Sequence, residues 1–382
     1  MKKKILILLS YILVAVTATV ATLAMKAPVK VSKLDQLEGL IRERFIGEAD
    51  PTALEDAAAH AMVNATGDKW SYYIPASEVE SYQEQMDNAY VGVGITIQLT
   101  EDSSGFLIVS VTDGGPAQEA GLQVEDLLIQ VDGKDVRDLD TTGVRDLVKG
   151  KEGTFVSLTV LRKGEPLTLS VERRQVMTPV AEYELLEGKV GLITIYNFDS
   201  RCAKETVDAI ETLLANGAEK LIFDVRHNPG GYAHELVDVL DYLLPEGELF
   251  RSVAYDGAES VDYSDAACLN VPMAVLVNSG SYSAAEFFAA ALQEYEAAVI
   301  VGEQTSGKGY FQTTIYLNDG SAVALSVGKY YTPMGLSLAD VGVTPDVVVT
   351  VDEQTAAGIY YGTLPPAEDP QVQAAVKALN NG

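Results

Sequence analysis

One serine and one lysine stand where the chain could turn them into a reacting pair. The stretch Val271–Gly309 reads VPMAVLVNSGSYSAAEFFAAALQEYEAAVIVGEQTSGKG. Met273–Val277 is an apolar run of strand character, and the polar residues Asn278 to Tyr282 break it. From Ser283 the pattern becomes helical, with Ala284, Ala285, Phe287, Phe288, Ala291 and Leu292 giving a broad apolar face. A second apolar run, Ala298–Val301, leads into a glycine-rich loop that carries Lys308. Ser283 therefore marks a strand-to-helix junction, and Lys308 lies in the loop after the next strand. That placement suits a nucleophile at a helix start with an amine brought to it by the fold.

Other chemistries compete for the same residues. Gly302 to Lys308 matches GxxxxGK of a phosphate loop, but Gly309 follows where Ser or Thr would hold Mg²⁺, and no helix-forming stretch comes next. A hydrolase elbow needs GxSxG, and Ser283 is preceded by Ser281 and Tyr282. The chain has 3 histidines, His60, His227 and His234, so a Ser-His pair has few bases to choose from. A Ser-Lys dyad is a known variant of the triad logic. The plain alternative is a buried strand, a capped helix and a loop with a solvated lysine.

The flanking elements must hold this pair. Residues 176–365 alternate strands and helices, which reads as an α/β layered core. Val190–Ile195 is a strand, Ala203–Leu214 an amphipathic helix, and Lys220–Val225 a buried strand that ends in RHNPGGY. Glycines after a strand and before a helix leave backbone N–H groups exposed. Asp369-Pro370 opens a short terminal helix. Upstream, Leu34, Leu37, Ile41 and Phe45 form one helical stripe, and Asp50-Pro51 caps a second helix. At the very start, lysines at positions 2 to 4 precede Ile5–Met25, which carries no charge. About 21 residues at ~1.5 Å rise span a hydrocarbon core of ~30 Å. An uncleaved anchor with the bulk of the chain extracytoplasmic is the favoured reading. A cleaved signal peptide competes, with Thr22-Leu23-Ala24 as a weak cleavage site.

Composition narrows the class. The 382 residues suffice for two or three domains; 47% are hydrophobic and 21% charged, which supports a large core. A net charge of −28 opposes nucleic-acid binding, because phosphate contacts need a basic surface. Cys202 and Cys268 could form one bridge in an oxidising compartment or stay separate thiols.

SYSAAE followed by VGEQTSGKGYFQ resembles the carboxyl-terminal processing peptidases, a Ser-Lys serine-protease family with the pattern S-A-S-A-S-E, then G-E-x-T-x-G-K-G-x-x-Q. The departures are Tyr282 for Ala, Ala285 for the third Ser and Gln304 for Pro. The resemblance implies Ser283 as nucleophile, Lys308 as base and Gln312 as the residue that orients the lysine. DVRHNPGG, Asp224–Gly231, is similar to the family's D-L-R-x-N-P-G-G. It implies an oxyanion hole of the Ala284 N–H with that of Gly230 or Gly231. The Y-x-T-P-x-G and G-x-x-P-D pieces between Gly328 and Val349 fit the family too, as turns and strand pairing without chemistry.

Residues 90–175 resemble a PDZ domain through YVGVGITI, Tyr90–Ile97, and GGPAQEAGLQVEDLLIQVDGKDV, Gly114–Val136, with Glu125 where glycine is usual. Such a domain takes a peptide C-terminus as an added strand. Here the carboxylate would meet the turn of Val91, Gly92, Val93 and Gly94, and Val144 and Leu147 of a helix over Thr141–Val148 would flank the groove. The implied fold is an α/β protease core (crotonase-like layered βα) with a small PDZ β-rich domain and an N-terminal helical segment. The implied order is a segment 1–30 that anchors or exports, helices in 31–89, PDZ in 90–175, a Ser-Lys core in 176–365 and a C-terminal helix in 366–382. Implied partners are protein or peptide substrates with free C-termini, the membrane, and a further copy of the chain through the N-terminal helices. No metal or cofactor is implied. A catalytically silent PDZ scaffold on a protease fold is the alternative.

Overall fold

The computed structural model describes residues 32–100 and 102–381; the apolar run Ile5–Met25 lies outside them. Among the described residues, no helix is long and apolar enough to cross a membrane. Two compact units appear, the first ending at Tyr73 and the second starting at Ile74.

The first unit carries α1 (Lys33–Arg44) and α2 (Pro51–Asn64), and β1 (Tyr72–Ile74) runs over its end. Ser32 Oγ accepts the Asp35 N–H while Asp35 accepts the Ser32 N–H, a reciprocal cap. Asp50 accepts from Thr52 N–H ahead of Pro51. Neither helix buries a residue. The anticipated stripe is present but open, with Leu37 53% and Phe45 58% exposed.

The second unit begins with α3 (Val79–Met86). A β-rich module follows: β2 (Ala89–Gly92), β3 (Ile95–Leu99), β4 (Phe106–Val111), α4 (Pro116–Glu119), β5 (Leu127–Val131), β6 (Lys134–Asp135), α5 (Thr141–Val148), β7 (Phe155–Arg162), β8 (Glu165–Glu172) and β9 (Arg174–Met177). Strands β3-β4-β5-β7-β8 form one antiparallel sheet, and β2 pairs with β9. Alternation sets the buried face: Val156, Leu158 and Val160 of β7 point inward with Phe106, Ile108 and Leu128. Asp132 and Gly133 both have positive φ, +49° and +77°, as a two-residue hairpin turn requires. Glu125 adopts φ +72°, so the turn keeps its glycine-like conformation despite the substituted residue.

The layered core runs β10 (Ala181–Leu186), β11 (Val190–Ile195), α6 (Cys202–Ala215), β12 (Lys220–Asp224), α7 (Ala233–Leu243), β13 (Gly247–Ala254), β14 (Glu259–Ser264), β15 (Met273–Val277), α8 (Ala284–Glu294), β16 (Ala298–Gly302), β17 (Tyr310–Tyr316), β18 (Ala322–Tyr331), β19 (Val347–Val348), α9 (Glu353–Tyr360) and α10 (Pro370–Asn381). Its main sheet has the order β10-β11-β12-β15-β16-β19, parallel except for the edge strand β10. Helices α6, α7 and α8 cover one face and α10 the other, which explains why all of Met273–Val277 is buried. Helix α8 is buried over Ala284–Leu292, and Phe287 and Phe288 are fully enclosed. Enclosing each phenyl ring is worth about 1.5–3 kcal/mol. A second, antiparallel sheet joins β14, β13, β18 and β17. Cys202 and Cys268 are unpaired, the first buried and the second exposed.

Candidate active site

Three loops leave the carboxyl ends of neighbouring parallel strands, where open α/β sheets place their sites. They follow β12, β15 and β16, and hydrogen bonds stitch them together. Ser281 Oγ donates to Val225 C=O (2.7 Å), and the Tyr282 N–H donates to Asn228 C=O (3.2 Å). Ser306 Oγ donates to Ser279 C=O (2.6 Å), and its N–H donates to Ser281 C=O (3.2 Å).

Ser283 opens α8 with φ +59° and ψ −124°, a conformation that costs a non-glycine residue about 1–3 kcal/mol. The surrounding bonds hold it there. Its N–H donates to Glu286 Oε2 (3.2 Å), and the Lys308 N–H donates to the same oxygen (2.9 Å). Glu286 Oε1 accepts from Thr305 Oγ1 (2.5 Å) and the Gly307 N–H (2.6 Å). One buried carboxylate therefore fastens the serine's backbone to the lysine's. Burial raises the Glu286 pKa, and the bonds from Thr305, Lys308, Gly307 and Ser283 oppose that rise.

Lys308 is 8% exposed, and its ammonium nitrogen lies 5.8 Å from the centre of the Tyr282 ring. Chain continues from it through Gly309 into β17 and not into a helix, which removes the phosphate-loop geometry. Tyr330 of β18 donates to the Lys308 carbonyl. Burial pushes the Tyr330 hydroxyl pKa well up, so it remains a donor. Gln312 lies on β17 opposite Ser326, and its amide NH₂ donates to Tyr310 C=O (3.2 Å) and Ser326 Oγ (3.0 Å). The amide oxygen is the end with acceptor chemistry for an amine.

The turn after β12 meets the start of α8. A Cβ placed on Gly230 would lie 2.6 Å from Ser283 Cβ and 2.8 Å from the Ala284 nitrogen, so only glycine permits this approach. Asn228 is fully buried, donates to Ile195 C=O (2.7 Å) and accepts the Gly230 N–H (2.8 Å). The Gly230 N–H is thus committed to Asn228, which separates it from the Gly231 N–H. Gly231 bridges to Phe198, and a Cβ there would strike the Phe198 backbone at 2.2 Å. His227 turns elsewhere: its ring contacts Asn278 Nδ2 (2.8 Å) and the Tyr360 ring, with centroids 5.1 Å apart.

In the β-rich module, the Val93 and Gly94 carbonyls accept from Ala117 (2.9 Å) and Thr112 (3.0 Å), fixing the glycine turn. The Val91 N–H donates to Glu84 Oε1 (3.3 Å), and Glu84 Oε2 pairs with Lys149 Nζ (3.2 Å) at the end of α5. Leu147 is half-buried, whereas Val144 is fully enclosed in the module's core. Val144 therefore supports the helix from beneath.

Residues 93–172 match the PDZ domain, and residues 189–349, which hold Ser283 and Lys308, match peptidase family S41. The carboxy-terminal processing protease CtpA of Bacillus subtilis (strain 168) is 33% identical, over 83% of this chain and 68% of its own length. The chain belongs to peptidase family S41. It is a serine-type peptidase with a PDZ domain. A Staphylococcus aureus (strain COL) protein named as a CtpA-like serine protease is 30% identical to this S41 peptidase over 87% of the chain and 67% of its own. The solved structure of a Bacteroides fragilis protein assigned to the S41 proteases shares the fold, with a TM-score of 0.54 at 18% identity, covering 91% of this chain and 97% of that one.

Sequence reasoning missed four residues of this S41 site. Glu286 had a readable signal, since it is the third helical residue after a serine cap. Asn228 had one as well, because Asn before Pro-Gly folds back on its own turn. Ser281 had a weaker one, two residues before the junction. Tyr330 had none: it lies in a segment expected to supply turns and strand pairing only, and the β17–β18 hairpin brings it to Lys308.

Proposed function

We propose that this S41 peptidase is a membrane-anchored, extracytoplasmic serine endopeptidase that cuts polypeptides near their C-termini through a Ser283-Lys308 dyad. The observation that supports the dyad is the shared Glu286 oxygen, which holds the Ser283 and Lys308 N–H groups together. Ser283 Oγ attacks the scissile carbonyl, and Lys308 Nζ in its neutral form takes the proton. The Ala284 N–H, in the first turn of α8, and the Gly231 N–H stabilise the oxyanion. Lysine then protonates the leaving amine, and a water deprotonated by the same lysine releases the acyl group. The Gln312 amide oxygen orients the lysine amine.

The PDZ domain selects free C-termini at the Val91–Gly94 turn. The B. subtilis relative's name, which specifies carboxy-terminal processing, supports this choice of substrate. Residues 1–30 anchor the chain, 31–89 supply helices that contact a second copy, 90–175 form the PDZ domain, 176–365 a core of crotonase-like layering, and 366–382 the closing helix.

The test is cleavage of an unfolded protein and a short peptide by the purified full chain. Ser283→Ala and Lys308→Arg should both be inactive yet folded, the second because a guanidinium stays protonated. For the native chain, kcat/KM should rise with pH and level off as the free lysine forms. A rate that is flat or falls between about pH 6 and about pH 9 in a folded enzyme rules out lysine as the base.

A further inference from the structure

A cleft of about 480 Å³ opens on the α10 face of the main sheet, and none of Ser283, Lys308 or Gln312 lines it. Its floor is Leu192 and Thr194 of β11, with Glu184 and Glu182 directly opposite them on β10. Tyr360 and Tyr361, at the end of α9, form two walls. Their rings stand nearly perpendicular, at 84° with centroids 5.1 Å apart. Tyr196 completes the lining; Tyr183, paired with Ile193, turns its side chain to the other face of the sheet. The three tyrosines of the cleft keep a large share of their surface in solvent, from 46% for Tyr196 to 74% for Tyr361. So many aromatic rings exposed around one concavity mark a recognition surface more often than a bare fold.

Charge decides what it takes. Among the described residues the one cation in the lining, Arg226, is already spent: it donates to both oxygens of Asp224 (2.9 and 2.5 Å) and pairs with Asp369 (2.8 Å). Glu182 accepts the Tyr196 hydroxyl (2.7 Å) and, with Glu184, leaves the cleft negative. Aromatic faces beside carboxylates attract cations. Perpendicular walls suit a compact ammonium, whereas a guanidinium stacks flat on one ring. The volume exceeds a bare ammonium and fits a long alkyl stem with adjoining backbone.

We propose that this cleft binds a lysine side chain of a polypeptide, as a recognition site separate from both the PDZ groove and Ser283. The polypeptide source rests on the peptidase reading above; the ammonium chemistry does not. The test uses the full chain carrying Ser283→Ala, which cannot cut, and a fluorescently labelled Gly-Lys-Gly peptide amidated at its C-terminus, which offers the PDZ turn no carboxylate. Anisotropy should show saturable binding, weakened about tenfold by acetylating the lysine and by a similar factor in Tyr361→Ala. Glu184→Gln should weaken it less, and added salt should act in the same direction. Equal binding of the acetylated peptide, unchanged binding by Tyr361→Ala, or no binding at millimolar peptide overturns the proposal. Tighter binding of n-butylammonium than of the peptide overturns the polypeptide source. Cleavage of a lysine-free substrate by the native chain is measured alongside, so failure of the cleft and failure of the peptidase reading are told apart.

Discussion

Two glycine turns in this molecule stand at its candidate sites, and they are held in opposite ways. The turn at Gly230-Gly231 is fixed from inside. Asn228 is fully buried, and the Phe198 N–H donates to Gly230 C=O while the Tyr232 N–H donates to Phe198 C=O, both at 2.7 Å. The Val93–Gly94 turn of the PDZ domain follows the end of β2, and there a surface carboxylate, Glu84, accepts the Val91 N–H. That carboxylate is partly exposed and shared with Lys149, so solvent and salt compete for it. The first turn is preorganised, with its reorganisation cost met during folding. The second already donates an N–H to one carboxylate of this chain, that of Glu84.

The comparison is broken most sharply at Glu286. Glu286→Ala should lower kcat/KM by at least about 100-fold, since misplacing a positioned group by 1 Å costs that much. It also orphans buried N–H groups at about 1–3 kcal/mol each, so urea denaturation should report a clear loss of stability. Near-native kcat/KM would remove Glu286 as the fastener of the site.

Asp199 tests the support beneath Gly231. Its side chain is buried, and among the described residues Oδ1 has no hydrogen-bond partner. Burial, and secondarily the charge of Glu235, raise its pKa from 3.8 to about 7. The folded state therefore holds a proton that the unfolded chain releases. Stability from this group is complete below pH ~4, falls as pH rises towards ~7 and is gone above that, a swing of about 4 kcal/mol. Asp199→Asn should raise Tm at pH ~8 and leave it nearly unchanged at pH ~4. An equal shift at both would mean that Asp199 is ionised in the fold.

Ser281→Ala should cost about 1–3 kcal/mol, because it strands the Val225 carbonyl that Ser281 Oγ satisfies. Cleavage at low temperature should persist, since the serine that opens α8 keeps its own contacts. Loss of cleavage in a folded Ser281→Ala protein would show that the loops tolerate no slack.

The smallest effect belongs to the PDZ side. Glu84→Gln removes a competing carboxylate, and should tighten binding of a peptide acid by about two- to threefold at low salt and less at high salt. Calorimetry with acid and amide peptides reads it. A large or salt-independent change would mean that the PDZ turn is as fixed as the core turn.

What could be read beforehand divides along the same line. Met273–Val277, Ala298–Val301 and the junction at Ser283 were legible because a parallel strand buried on both faces is a continuous apolar run. Helix α5 and the Asp132-Gly133 turn were legible because each is set by its own residues. Tyr330 and the Glu286 clasp were not, because their partners arrive through strand pairing and loop closure, which leave no local pattern. Gly230 and Gly231 were inseparable in the sequence, and only the Asn228 bond distinguishes them. The open stripe on α1 has the same apolar periodicity as a buried one, and periodicity carries no information on what covers it.

The shared oxygen of Glu286 also bears on how such a peptidase is held in check. Because the Ser283 and Lys308 N–H groups share one atom, a retreat of either loop has to break a hydrogen bond to the carboxylate that holds the other. A regulator that leaves these bonds intact is expected to act on entry of the chain to be cut. Its kinetic signature is a changed KM or association rate at nearly constant kcat, whereas a regulator that parts the two loops lowers kcat.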